Sequence, residues 1–157
     1  MDPAEVLFTV GLTVAGSIAI AYTTQWLQTK KRTQRLRRSL RHEIAANLSL
    51  AKSNLEVISA LEHDREVVIK GEWTYFDISS LRAVAYHDFR LSGESANLTE
   101  EIRATLDEVY DLIDGHNRQV SFLTMEPIPR TRGMSARLGR IVEKLGFLER
   151  ELPRSKS

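Results

Sequence analysis

"VLFTVGLTVAGSIAIAYTTQWLQTKKRTQRLRRSLRHE", Val6 to Glu43, changes character once, near Thr29. From Val6 to Gln28 it carries no charge. From Lys30 to Arg41 it carries seven bases, Lys30, Lys31, Arg32, Arg35, Arg37, Arg38 and Arg41, before its first acid at Glu43. A helix rises about 1.5 Å per residue, so the uncharged run exceeds a hydrocarbon core of about 30 Å. The run predicts a transmembrane helix. A secretory leader would place bases before the apolar run and a small-residue cleavage site after it. Here Asp2 and Glu5 come before and the bases after.

Lys and Arg beside a membrane helix stay on the cytoplasmic side, which predicts a single pass through the cell membrane with the N-terminus outside and the bulk of the chain in the cytoplasm. Tyr22 and Trp26 fall near the basic end, where amphipathic rings favour the lipid–water interface. Each base near the surface gains about 1 kcal/mol from anionic headgroups, which makes membrane lipid the expected partner of the block. The positive charge sits beside an apolar run and is not spread over a folded face, which argues against nucleic acid. Within the span, Gly11, Ala15 and Ala19 recur every four residues, a spacing that lets two helix backbones approach closely. Thr9, Thr13 and Ser17 form a hydroxyl stripe on another face. Hydroxyls of this kind also bond their own helix.

The whole chain has 157 residues and a net charge of +1, with 42% hydrophobic and 27% charged residues. Those totals suit one compact domain plus an anchor. With no cysteine in the sequence, disulfides and thiolate chemistry are excluded.

No Gly or Pro occurs between Gly16 and Gly71, so nothing local stops the first helix from running on through the basic block. Leu36, Leu40, Ile44, Leu48, Ala51, Leu55 and Ile58 then mark one helical face to about Leu61. Asn47 and Asn54 lie one heptad apart beside that face, as register-setting buried amides of a helix pair or as ordinary flanking residues. Val67–Asp77 breaks the period, as a small hairpin or a loop whose aromatics plug the bundle. Asp77, Ser79 or Ser80 is expected to cap a short helix to Leu91, ended by Gly93. Asn97 with Glu100 opens the next helix, with Ile102, Leu106, Val109, Ile113, His116, Val120 and Leu123 inward. Pro127 and Pro129 end it. A last helix, capped by Ser135, buries Leu138, Ile141, Val142, Leu145, Leu148 and Leu152. The predicted fold is all-α. Residues 1–29 form a transmembrane anchor that continues into a cytosolic antiparallel helical bundle, 30–157, with a basic juxtamembrane segment at 30–41.

"LRHEIAANLSL" and the later "LRAVAYHDFRLSGESANLTEEIRATLDEVYDLIDGHN" resemble a pattern in uncharacterised prokaryotic single-pass membrane proteins with a helical cytosolic domain. The resemblance covers Leu36 to Asn117 and implies an architecture, with no activity and no catalytic residue.

Chemistry is sparse. The four histidines share no metal-ligand spacing, so no metal and no cofactor is expected. His116 falls on an apolar stripe and reads as a core histidine. Tyr86, His87 and Asp88 are consecutive, so on a helix they do not face one another. No catalytic constellation is recognisable. Arg130, Arg132, Arg137 and Arg140 form a second basic cluster beside the start of the last helix, a candidate anion-binding site. The expected function is a membrane-anchored scaffold that tethers a protein partner or self-associates as a homo-oligomer. The alternative is a sensor or effector whose bundle binds an anion at those arginines and alters the packing of transmembrane helices.

Overall fold

The computed structural model describes residues 3–63, 78–123 and 133–152, without the side chains of 3–16, 61–63 and 123. Its described secondary structure is helical throughout: α1 Pro3–His63, α2 Val84–Leu91, a 3-10 turn Glu94–Asn97, α3 Glu100–Leu123 and α4 Met134–Glu151. The all-helical expectation holds. The hairpin or plug expected within 67–77, and Pro127, Pro129, Arg130 and Arg132, lie outside the described residues. The chain divides into two compact units, Met1–Arg35 and Leu36–Ser157.

In the first unit every residue from 17 to 32 is exposed, on all faces of α1. Among the described residues no helix is long and apolar enough to cross a membrane. Of the span expected at Val6–Gln28, including Gly11 and Ala15, the side chains up to residue 16 lie outside the description, while Ala19 is exposed. The transmembrane part of the expectation therefore has no counterpart among the described residues.

The second unit is a bundle whose elements alternate in direction. Asn54 meets Ser79, Asn47 meets Arg82, Glu43 meets Ala85, and Arg37 meets Glu94, so the segment 78–94 runs antiparallel to α1. α3 then returns alongside α1, with Tyr110 on Glu43 and His116 on Asn54. Against α3, α4 runs back, Arg137 bonding Gln119 and Arg140 bonding Glu108. The core contains the predicted stripes and adds Ile78, Leu81, Tyr86, Phe89, Tyr110 and Met134, which they left out. Leu40, Ile44, Leu48, Ala51 and Ile58 of α1 meet Leu106, Val109, Ile113 and Val120 of α3, and Leu138, Ile141, Leu145 and Leu148 of α4. Leu36, Leu55, Ile102 and Val142 are partly buried against it. Val57, outside the predicted stripe, is buried too.

Three predicted helix starts are corrected. α2 begins at Val84, not near Ser80, because the backbone of Ser79, Leu81 and Arg82 bonds side chains of α1 and α3 instead of its own helix. Asn97 does not cap α3: it closes the 3-10 turn and donates to Glu94, while the Thr99 hydroxyl accepts from Ile102 N–H at 3.4 Å. Ser135 does not cap α4. The helix starts at the buried Met134, preceded by Gly133 at φ 82°. Gly93, at φ 77°, does end α2 as expected, in a left-handed conformation that a side chain would strain.

Leu106 is 1% and Ile113 0% exposed. Truncating either to Ala is expected to cost about 2–5 kcal/mol in urea unfolding. Asp114→Ala removes only an exposed pair with Arg118 and is expected to cost under about 1 kcal/mol.

Candidate functional site

The polar residues that the fold gathers lie inside the bundle. The segment Ile78–Arg82 is not helical, so its peptide groups form no bonds within a helix, and both helices beside it have spent their own backbone groups on themselves. Buried peptide groups need partners. Three carboxamides provide them. Asn54 donates to Ser79 C=O at 2.6 Å and accepts from Ser79 N–H at 3.0 Å. Asn117 does the same for Leu81, at 2.8 and 2.7 Å, and Asn47 for Arg82, at 2.7 and 2.8 Å. A primary amide carries a carbonyl and an N–H side by side, as a peptide does. The three asparagines thus act as a neighbouring strand, contributed from α1 on one side and α3 on the other.

At the end of this segment the Glu43 carboxylate accepts from the N–H groups of Ala85 (2.8 Å) and Tyr86 (3.1 Å) and from the Tyr110 hydroxyl (2.8 Å). Ala85 and Tyr86 are the second and third residues of α2, whose own preceding residue, Ala83, offers no side-chain cap. Glu43 is therefore a cap delivered from another helix, with its negative charge at the positive end of α2. Tyr86 stacks on Tyr110 with ring centroids 4.0 Å apart and donates to Asp107 at 2.6 Å. Burial, then the bond to Asp107, pushes the Tyr86 hydroxyl up to about 12. Burial and the Glu43 carboxylate hold the Tyr110 hydroxyl protonated far above the ordinary range. Tyr86 is thus a buried structural residue, while its sequence neighbours His87 and Asp88 face solvent.

His116 is 0% exposed, with Nε2 3.3 Å from Asn54 Nδ2 and 3.4 Å from Ser79 O, and with Nδ1 buried and unpartnered. Burial lowers its pKa, and the nearby Arg137 guanidinium adds to that against the opposing bond to Ser79. With Glu43, Asn47 and Asn54 all at 7% exposure or less, the arrangement acts as a fastening. Nothing about a single sequence position announced it. The signal was two asparagines one heptad apart beside an apolar stripe, and a third next to the stripe histidine. Of the two readings of Asn47 and Asn54, ordinary flanking residues is the one corrected, since each is 1% exposed and doubly bonded.

The predicted surface sites separate. Lys30, Lys31, Arg32 and Arg35 are exposed in the first unit, with Lys30 Nζ 4.9 Å above the Trp26 ring. In the second unit Arg38 is exposed, Arg41 is half-buried, and Arg37 pairs with Glu94 at 3.3 Å. Of the predicted anion cluster, Arg137 donates to Gly115 C=O at 3.2 Å and to Gln119 at 2.7 Å. Arg140 pairs with Glu108 at 2.8 Å. Lys144 joins the same carboxylate at 2.6 Å and, with Arg140, lowers the Glu108 pKa. These two arginines fasten α4 to α3, and Arg130 and Arg132 lie outside the described residues. Among the described residues no group of His, Asp or Glu is placed to hold a metal ion.

No family model matches the chain, and no curated protein or solved structure matches it either. The resemblance noted for Leu36–Asn117 rests on the quoted residues alone.

Asn54→Ala or Asn117→Ala leaves a half-buried N–H and a C=O without their partner, and each is expected to cost about 1 kcal/mol in chemical denaturation. The buried His116 takes up a proton less readily than the unfolded chain does. Its contribution is therefore whole above the usual histidine pKa of about 6.5 and is lost as pH falls below it. Thermal unfolding between pH 7.5 and 5.5 should show this loss, and His116→Gln should reduce it.

Proposed function

We propose that the chain is a membrane-anchored helical scaffold, which holds its Leu36–Ser157 bundle at the cytoplasmic face of the cell membrane and there engages a protein partner or a second copy of itself. The exposure of α1 from residue 17 to residue 32 is the observation that carries this reading. Ile20 is 70%, Tyr22 74% and Trp26 59% exposed among the described residues. Exposed aliphatic and aromatic side chains favour an apolar surrounding, and a bilayer is one that suits a segment bounded by bases.

Two further details support lipid as that surrounding. The Thr23 hydroxyl donates to Ala19 C=O at 2.7 Å and Thr29 to Gln25 C=O at 2.9 Å, which meets their hydrogen-bonding needs without water. Trp26 and Lys30 sit together at the basic end, an arrangement that suits the headgroup layer. Confinement to a surface raises the effective concentration of whatever the bundle binds, which gives a scaffold its effect without catalysis. Gly11, Ala15 and Ala19 offer the close approach that a second copy needs. The sensor reading is the less favoured one, because Arg137 and Arg140 are already engaged with α3.

After cell lysis and an alkaline carbonate wash, the full chain should remain with the membranes. A reporter active only in the cytoplasm and fused after Ser157 should work, and changing the seven bases from Lys30 to Arg41 to Gln should reduce its signal. Release of the chain by carbonate would end the anchored reading.

A further inference from the structure

The short helix α2 turns two apolar side chains away from the core. Val84 is 72% and Leu91 86% exposed, and with about 100° of turn per residue they share one narrow strip. His87 and Asp88, both exposed, flank that strip on opposite sides, and neither makes an ion pair among the described residues. The His87 ring lies 5.6 Å from the Tyr86 ring, and Arg90 stands on the same flank, near the Tyr86 hydroxyl. One flank of the strip is therefore basic and the other acidic. The other charged groups near α2 are engaged elsewhere or lie off the strip. Asp107 accepts from Tyr86, Glu43 caps the helix, Glu94 pairs with Arg37, and Arg82 is exposed ahead of the helix start.

We propose that this strip is the contact between two copies of the chain, paired side by side with their α2 helices parallel. With a two-fold axis running along α2, Val84 and Leu91 each meet their own counterpart in the second copy. Each His87 flank then faces the Asp88 flank of the other copy. An imidazole N–H donates to a carboxylate in either protonation state, so the pair gains two such bonds. An antiparallel pair would set His87 against His87 and Asp88 against Asp88, and would lose both. The charge pattern thus selects a second copy as the occupant and fixes its direction. The inference rests on the anchored reading at one point: copies inserted the same way round share an axis along the membrane normal, which a parallel contact permits. A helix of 8 residues is small. It buries well under the ~1,200 Å² of a stable interface, so the contact depends on the local concentration that confinement supplies.

The sequence has no cysteine, so single cysteines report the contact in membranes that hold the full chain, oxidised with copper phenanthroline. Val84→Cys and Leu91→Cys should each give disulfide-linked dimers alone. Ser49→Cys, exposed on α1 at the groove it shares with Glu149 of α4, should not. Co-expressing the two α2 variants, one with a size tag, should give few mixed dimers, because the positions lie about 10 Å apart along the helix. In the Leu91→Cys chain, His87→Asp should lower the dimer yield severalfold. Adding Asp88→Lys should restore it, since opposite charges then face each other again. Mixed dimers in excess of like pairs would overturn the parallel contact, and a yield indifferent to these charge changes would overturn the pairing of flanks. Equal cross-linking at Ser49, or none at either α2 position, would overturn the self-contact and leave the strip to another partner or to none. Absence of cross-links in a chain that stays with the membranes ends the pair alone, whereas carbonate release ends the anchor, so the two failures can be told apart.

Discussion

A non-helical segment of backbone lies between two helices, and the rest of the bundle depends on how its half-buried peptide groups are satisfied. A helix cannot lend backbone hydrogen bonds to a neighbour, so the partners of Ser79, Leu81 and Arg82 have to be side chains. Asn47, Asn54 and Asn117 fill that role in pairs of bonds from opposite sides. Glu43 completes it by capping α2 where the non-helical segment ends. Asn47 and Asn54 tie the segment to α1, Asn117 ties it to α3 and Glu43 ties α1 to α2, so together they set the register of α1, the short α2 and α3. Apolar stripes slide past one another at small cost. Doubly bonded carboxamides do not.

Polar groups placed inside the bundle make its stability sensitive to single atoms. Glu43 bonds three donors that would otherwise be buried alone, two peptide N–H groups and the Tyr110 hydroxyl. The tyrosine pair then links this cap to α3, since Tyr86 both lies on Tyr110 and reaches Asp107. His116 is the least satisfied member, with one buried nitrogen lacking a partner. Protonation there brings a charge into a buried site that already faces Arg137, and so the core loses stability in mild acid.

The basic residues of the chain serve unlike ends, and their surroundings decide which. Arg137 and Arg140 come from the most isolated basic run in the C-terminal half, yet carbonyl, amide and carboxylate oxygens on α3 take them up. Arg37 and Arg41 stay at the rim of an apolar cleft, while Lys30, Lys31, Arg32 and Arg35 remain in solvent. Sequence spacing alone ranks these groups alike. The difference lies in which helix face each occupies and in what crosses it.

Periodicity by itself determined much of this protein. The stripes from Leu36 to Ile58, Ile102 to Val120 and Leu138 to Leu152 are the ones found buried or partly buried, because a 3.6-residue period places apolar side chains on one side whatever the partner. The change from uncharged to basic sequence near Thr29 likewise marked a helix segment unlike the rest of α1, and that segment is exposed on every face. What only the tertiary structure decided is the polar interior. Whether Asn47, Asn54 and Glu43 face solvent or a buried peptide depends on a segment 25 to 43 residues further along the chain. The same holds for the start of α2. Local sequence offers serines as caps near Ser80, but the pairing of Ser79, Leu81 and Arg82 with distant asparagines keeps that stretch out of the helix, and the helix begins only where Glu43 can cap it.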